Sequence, residues 1–292
     1  MQPYWQKQGE KPLYPDLLWA RPEVKSAAGK LLIVGGHAQS FAAPAEAYGE
    51  AEKAGIGTAR VLLPDSLKRT VGRIFPGAEF APSNPSGGFA TNALAEILSA
   101  AQWADGVLLA GDLGRNSESL AMLENFASKY SGQLTITKDT ADFFCTQPQS
   151  LLSRDSRHSE RSEESSTVPN PEGSAGRSFA DAQDDTGTLL VLSMGQLQKL
   201  GRALQLPYAF TSDLGMLQLV ELLHNFTETY PGLHIVTRHM DRYVVAVKGS
   251  IGTTPIPGEK PIWRVATAAS ASTWWLQNPS KPFEALTTSF VS

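Results

Sequence analysis

Short aliphatic runs alternate with helix-patterned segments through most of this chain, and that alternation narrows its fold more than any other feature. Lys30-Leu-Leu-Ile-Val-Gly-Gly36 reads as a buried strand entering a glycine turn. An alanine-rich helix follows over 43–54, with Pro44 suited to its first turn and Gly55 to its end. A second strand over 58–63 completes a βαβ unit, which implies a parallel sheet with a right-handed crossover. The rhythm continues with a strand at 106–110, a helix at 117–130, strands at 133–137 and 188–193, a helix opening at Met194 and a longer one over 214–230. Between them, 67–88 is broken by prolines and glycines and reads as a short helix or strand followed by loop, and Thr91 caps a helix running to Ala101. Runs 233–237 and 243–248 are separated by about five residues, which predicts an antiparallel pair. Pro282 starts a closing helix over 283–291. The expected fold is α/β: three αβα layers around a mostly parallel, doubly wound sheet with an antiparallel edge.

Two segments stand outside this rhythm. Residues 1–29 are rich in proline, lysine and aromatics without periodicity; they predict an arm that packs Tyr4, Trp5, Tyr14 and Trp19 onto the body or a neighbouring subunit. Residues 151–187 include Arg154-Asp-Ser-Arg-His-Ser-Glu-Arg-Ser-Glu-Glu-Ser-Ser166 and almost no aliphatics, the composition of a disordered insertion in a domain spanning 30–292. A hydrophobic fraction of 41% supports a sizeable core, and a net charge of −4 without a basic tract argues against a nucleic-acid partner. No run approaches the roughly 18 apolar residues of a membrane span and no signal-peptide core is present, so no membrane association and a cytoplasmic location are expected. The single cysteine, Cys145, excludes an internal disulfide and reads as an inert thiol. None of the five histidines has metal-ligand spacing, so no metal site is expected.

In an open α/β sheet, ligands collect beyond the carboxyl ends of the strands. The segments that matter are then Gly35-Gly36-His37, Gly111-Asp-Leu-Gly-Arg115, Lys138-Asp139, Ser193-Met-Gly-Gln196, Thr237-Arg238-His239 and Ala266-Thr-Ala-Ala-Ser-Ala-Ser272. The last reads as a short strand over 263–266 running into a helix through small residues at 268–272, the geometry of an anion site at a helix N-terminus. A nucleotide-using enzyme would place glycines and a carboxylate there; alanine and serine fill those positions.

Taken in order, the segments resemble the ADP/ATP-dependent NAD(P)H-hydrate dehydratase family, whose fold is ribokinase-like, over residues 28–291 apart from the insertion. Val34-Gly-Gly-His-Ala-Gln-Ser-Phe-Ala-Ala-Pro44 is similar to the family's Gly-Gly-Ser-x-x-Tyr-x-Gly-Ala-Pro, and Ala110-Gly-Asp-Leu-Gly-Arg115 to Gly-Pro-Gly-Leu-Gly-Arg. Leu192-Ser-Met-Gly-Gln-Leu-Gln-Lys-Leu200 resembles Thr-Pro-His-x-Gly-Glu-x-x-x-Leu, with Gln196 for the glutamate. Ala266-Thr-Ala-Ala-Ser-Ala-Ser272 aligns with Ala-Thr-Gly-Gly-Thr-Gly-Asp.

The resemblance implies NADH or NADPH hydrate as substrate and ADP or ATP with Mg as phosphoryl donor. It implies substrate contacts at Ala43 and Gly114, and nucleotide contacts at Arg238, Ala269, Ser270 and Ala271. It puts Ser272 at the position of the proton-abstracting aspartate, where a neutral hydroxyl forfeits the roughly 10²–10⁴-fold contribution of a general base. Alanines at 268, 269 and 271 replace phosphate-binding glycines, and Ser40 replaces a tyrosine. Asp112 is either a substitute carboxylate or the holder of a turn or helix cap, and Asp139 and Asp142 share that ambiguity. His37, His234 and His239 read as solvated or locally satisfied. The expectation is a catalytically impaired, homo-oligomeric relative that retains some nucleotide binding. The alternatives are an active lyase using a displaced carboxylate and a structural, oligomer-forming subunit built on the aromatic arm and Trp274-Trp275.

Overall fold

The computed structural model describes residues 2–291 except 76, 115, 155–186, 257 and 259–261. Its strands are β1 (Trp5–Lys7), β2 (Lys30–Gly35), β3 (Thr58–Pro64), β4 (Ala78–Ala81), β5 (Gly106–Gly111), β6 (Gln133–Thr137), β7 (Thr188–Leu192), β8 (Leu233–His239), β9 (Arg242–Val247) and β10 (Ser250–Pro255). They form one sheet in the order β1-β10-β9-β8-β7-β6-β5-β2-β3-β4. Only β9 runs against the rest, pairing antiparallel with β8 and β10. The expected antiparallel pair is present, and the sheet continues past it through β10 to β1, which pairs parallel with β10. Neither outer strand is marked in the sequence by a clean aliphatic run; β10 reads Ser-Ile-Gly-Thr-Thr-Pro.

Alternation along the strands divides the core. Leu32 and Val34 of β2, and Val107 and Leu109 of β5, face the layer built from α4 (Ala93–Trp103), α5 (Ser117–Lys129), α6 (Lys138–Thr146), α7 (Met194–Ala203) and α8 (Met216–Thr229). Leu31, Ile33, Leu108 and Ala110 face α2 (Ala42–Lys53), α3 (Lys68–Val71), α9 (Trp263–Gln277) and α10 (Pro282–Thr288). The result is three layers around a buried, mostly parallel sheet.

The largest departure from the sequence reading is α9. Residues 263–266 are its first turn and not a strand, and 268–272 lie in its interior and not at its amino end. Ala268, Ala269 and Ala271 are fully buried in one cluster with Ala43, Ala47 and Ala51 of α2. Small side chains on both helices permit close helix packing, and burial of that shared face outweighs the strand preference of Trp263 and Val265.

At the other anomalies, residues 151–154 are helical, with Leu151 and Arg154 buried, so the body extends into the expected insertion; the remainder of that expectation lies outside the described residues. In the arm, Tyr4 stacks flat on His224 at 3.6 Å between ring centroids, and Gln8 Nε2 donates to Thr287 O at 2.7 Å. A short helix, α1 (Asp16–Trp19), ends in Trp19, which is 88% exposed among the described residues. No helix among the described residues is long and apolar enough to cross a membrane.

His234, at the start of β8, is buried against Trp275 with ring centroids 5.0 Å apart, so it is not solvated, and its Nδ1 has no hydrogen-bond partner among the described residues, against the expectation of a solvated or locally satisfied ring. Burial, reinforced by the Lys248 charge, pulls its pKa from 6.5 to about 3. The unfolded chain therefore takes a proton below pH 6.5 that the folded chain refuses, and stability falls as pH falls from 6.5 towards about 3. Between pH 6.5 and 5 the loss is expected to be about 2 kcal/mol, at about 1.4 kcal/mol per pH unit. Urea unfolding of the wild type and of His234→Phe at pH 7 and pH 5 measures it; an equal acid loss in both proteins rules it out.

Candidate functional site

The turns that leave β2, β5, β6 and β7 meet the first turn of α9 at the carboxyl edge of the sheet. After β5 the backbone reverses through Gly111 (φ 103°), Asp112 (φ 60°) and Gly114 (φ 73°). Glycine is required at Gly111, because a Cβ there would sit 2.4 Å from Asp139 Oδ1. Asp139 fixes this turn: its carboxylate accepts from the amides of Asp112 at 2.8 Å and Leu113 at 2.9 Å.

The Asp112 side chain reaches back across the loop after β2. Its Oδ2 accepts from Ser40 Oγ and from the Ala43 amide, both at 2.8 Å, and its Oδ1 pairs with the Lys138 ammonium. Burial alone would raise this carboxyl, but Lys138, Ala43 and Ser40 together hold it below its ordinary 3.8. Stability from this group is thus complete above pH 3.8 and is lost as pH falls through the lowered value.

From Lys138 the network runs on. Its carbonyl accepts from Gln196 Nε2 at 2.6 Å, and Gln196 Oε1 accepts from Arg264 Nη1 at 2.8 Å and from the Ser193 amide at 2.9 Å. Ser193 and Gln196 form the capping box of α7. This position needs an amide, since a carboxylate could receive from Arg264 but not donate to Lys138. Five elements are thereby tied together by one polar chain: the amino end of α2, the ends of β5, β6 and β7, and the amino end of α9.

Among solved structures, the chain matches a ribokinase-like superfamily protein from Enterococcus faecalis V583 with a TM-score of 0.64, over 99% of this chain and 87% of that one, at 13% identity. The fold is ribokinase-like. The chain also matches the ADP/ATP-dependent NAD(P)H-hydrate dehydratase from Bacillus subtilis, co-crystallised with ATP and Mg2+, with a TM-score of 0.56 over 96% of this chain and 86% of that one, at 12% identity. No protein-family model matches the sequence, and no curated protein matches it.

Within this ribokinase-like frame the expected residues separate. Ala43 sits in the first turn of α2, and Gly114 lies against His37, where an added Cβ would approach Cδ2 to 2.9 Å. Both border Asp112 and its loop. Arg238 lies near the end of β8, in register with Tyr243 of β9. Ala269, Ser270 and Ala271 are inside α9 and present no free amides, and Ser270 Oγ donates to Ser289 O at 3.4 Å.

Ser272 is buried over the middle of β6, where its hydroxyl hydrogen-bonds Thr135 Oγ1 at 2.8 Å and Ala268 O at 2.6 Å. It stands nine residues into α9, roughly 14 Å from that helix's amino end at 1.5 Å per residue. Asp142 pairs with Lys199 at the surface, His239 Nε2 bonds Leu214 O, and burial pushes the Cys145 thiol up to about 12. The sequence places Lys138 in a strand-end segment but assigns it no role. Its position immediately after a buried strand, beside Asp139, was the available signal.

Proposed function

We propose that this protein is a catalytically silent relative of the ADP/ATP-dependent NAD(P)H-hydrate dehydratases, with nucleotide affinity weakened or lost. The observation that carries the reading is the commitment of the carboxylates at the carboxyl edge: Asp112 to Lys138, Ser40 and Ala43, and Asp139 to two backbone amides. Held below its ordinary value by these contacts, the Asp112 carboxylate is a poor proton acceptor. Among the described residues no three His, Cys, Asp or Glu side chains gather to hold a metal ion. If a nucleotide binds, Lys138 and Arg264 are cations at this edge among the described residues.

The test is turnover of NADH hydrate with ADP or ATP and Mg2+. The expected result is loss of hydrate no faster than without protein. Clear turnover, abolished by Asp112→Asn or Asp139→Asn, overturns the reading in favour of a lyase with a displaced carboxylate.

One observation favours a second, structural reading: the arm exposes Leu13, Leu18, Trp19 and Val24. Trp274 and Trp275 give it no support, because both are fully buried. A self-associating scaffold shows a concentration-dependent mass in sedimentation, sensitive to Trp19→Ser, and no calorimetric heat with ADP, ATP or NADH.

A further inference from the structure

Donors from three separate segments converge on one carboxylate. Ser40 comes from the loop after β2, the Ala43 amide from the first turn of a 12-residue helix, and Lys138 from the first residue of α6, directly after β6. A hydroxyl, a helix N-terminal amide and a lysine ammonium are the groups that ordinarily receive a phosphate. The two residues that form the ion pair, Asp112 and Lys138, both hold positive φ, 60° and 57°, although neither is glycine. Such conformations cost about 1–3 kcal/mol each and persist only where the surroundings impose them. The Asp112 side chain is 8% exposed, so water screens its contacts weakly.

We infer that Asp112 is an internal plug: its carboxylate occupies an oxyanion cradle formed by Ser40 Oγ, Ala43 N–H and Lys138 Nζ, and excludes phosphate-bearing ligands from it. The inference rests on the reading of this protein as catalytically silent and supplies a cause for it. Removing the carboxylate leaves three donors and a fixed positive charge without an anion. Glycine suits the vacated backbone, because φ near 60° costs it nothing.

The probe is inorganic phosphate, titrated at constant ionic strength into the wild type, Asp112→Gly and Asp112→Gly/Lys138→Met, and followed by 31P NMR and thermal unfolding. Wild type is expected to show no saturable binding. Asp112→Gly is expected to bind with a millimolar Kd and to gain about 3 °C in Tm at ten times that concentration. Adding Lys138→Met should weaken binding at least about tenfold, the loss of one charge-assisted contact.

Equal binding by wild type, no binding by a cooperatively folded Asp112→Gly, or equal binding by the double variant each overturns the inference. If Asp112→Gly does not fold, Asp112→Ala decides, since it also vacates the cradle at a cost of about 1–2 kcal/mol for positive φ; phosphate binding by it but not by wild type upholds the plug, and none by the folded variant overturns it. Hydrate turnover by the wild type would overturn the functional reading while leaving the phosphate titration to judge the plug.

Discussion

Ser272→Asp is expected to destabilise the protein severely rather than to restore chemistry. The alignment that puts Ser272 at a catalytic aspartate predicts that this single change rebuilds the missing base. The structure predicts the opposite. The hydroxyl is 3% exposed, faces Thr135 of the central strand β6, and shares its position with the Ala268 carbonyl, which repels a carboxylate. An ionised group there has to be desolvated without a cation in contact, and the expected loss is about 3–5 kcal/mol, reduced only if the carboxyl keeps its proton. Thermal unfolding by circular dichroism measures the loss, and the hydrate assay measures any gain. A variant as stable as wild type that consumes hydrate would show that the interior placement of Ser272 is wrong.

Arg154→Met is expected to cost nearly as much. Arg154 is 2% exposed, and its guanidinium donates to Tyr130 O, to Gly132 O at 2.8 Å and to Thr188 Oγ1 at 3.3 Å. It thus closes the end of α5, where helix carbonyls lack partners, and joins that end to the first residue of β7. Methionine fills most of the volume but leaves those part-buried and buried acceptors unbonded, at about 1–3 kcal/mol each and about 3–5 kcal/mol in all. A Tm within about 2 °C of wild type would contradict this. Lysine is a poor rescue, because one ammonium cannot reproduce the planar fork that serves several carbonyls.

What the sequence revealed and what it hid follow from the same physics. The central strands β2, β5 and β7 are buried on both faces, so each appears as a nearly continuous aliphatic run, whereas β6, equally buried, reads Gln-Leu-Thr-Ile-Thr and alternates. The outer strands β1 and β10 take their order from side chains far away in sequence, such as Trp5 Nε1 on Thr253 Oγ1, and carry little pattern of their own. At the candidate site, the strand-end segments containing Asp112, Asp139 and Gln196 were legible, because position at a carboxyl end is a matter of chain order. The role of Asp112 was not, since choosing between base and cap depends on Lys138, 26 residues away. The run at 268–272 misled for a related reason: small residues serve equally for approach to an anion or for approach to another helix, and only the partner, here the alanines of α2, decides.

The pairing of β1 with β10 also fixes an order of assembly. Trp5 is opposite Ile251, so a residue made early in synthesis must wait for one added 246 positions later. At about 5–20 residues per second that interval is roughly 10–50 s on the ribosome. Throughout it the growing sheet can close β2 against β3 and β5, whose partners lie near in sequence, but its β10 edge does not exist. During synthesis β1 can therefore pair only after β10 has emerged.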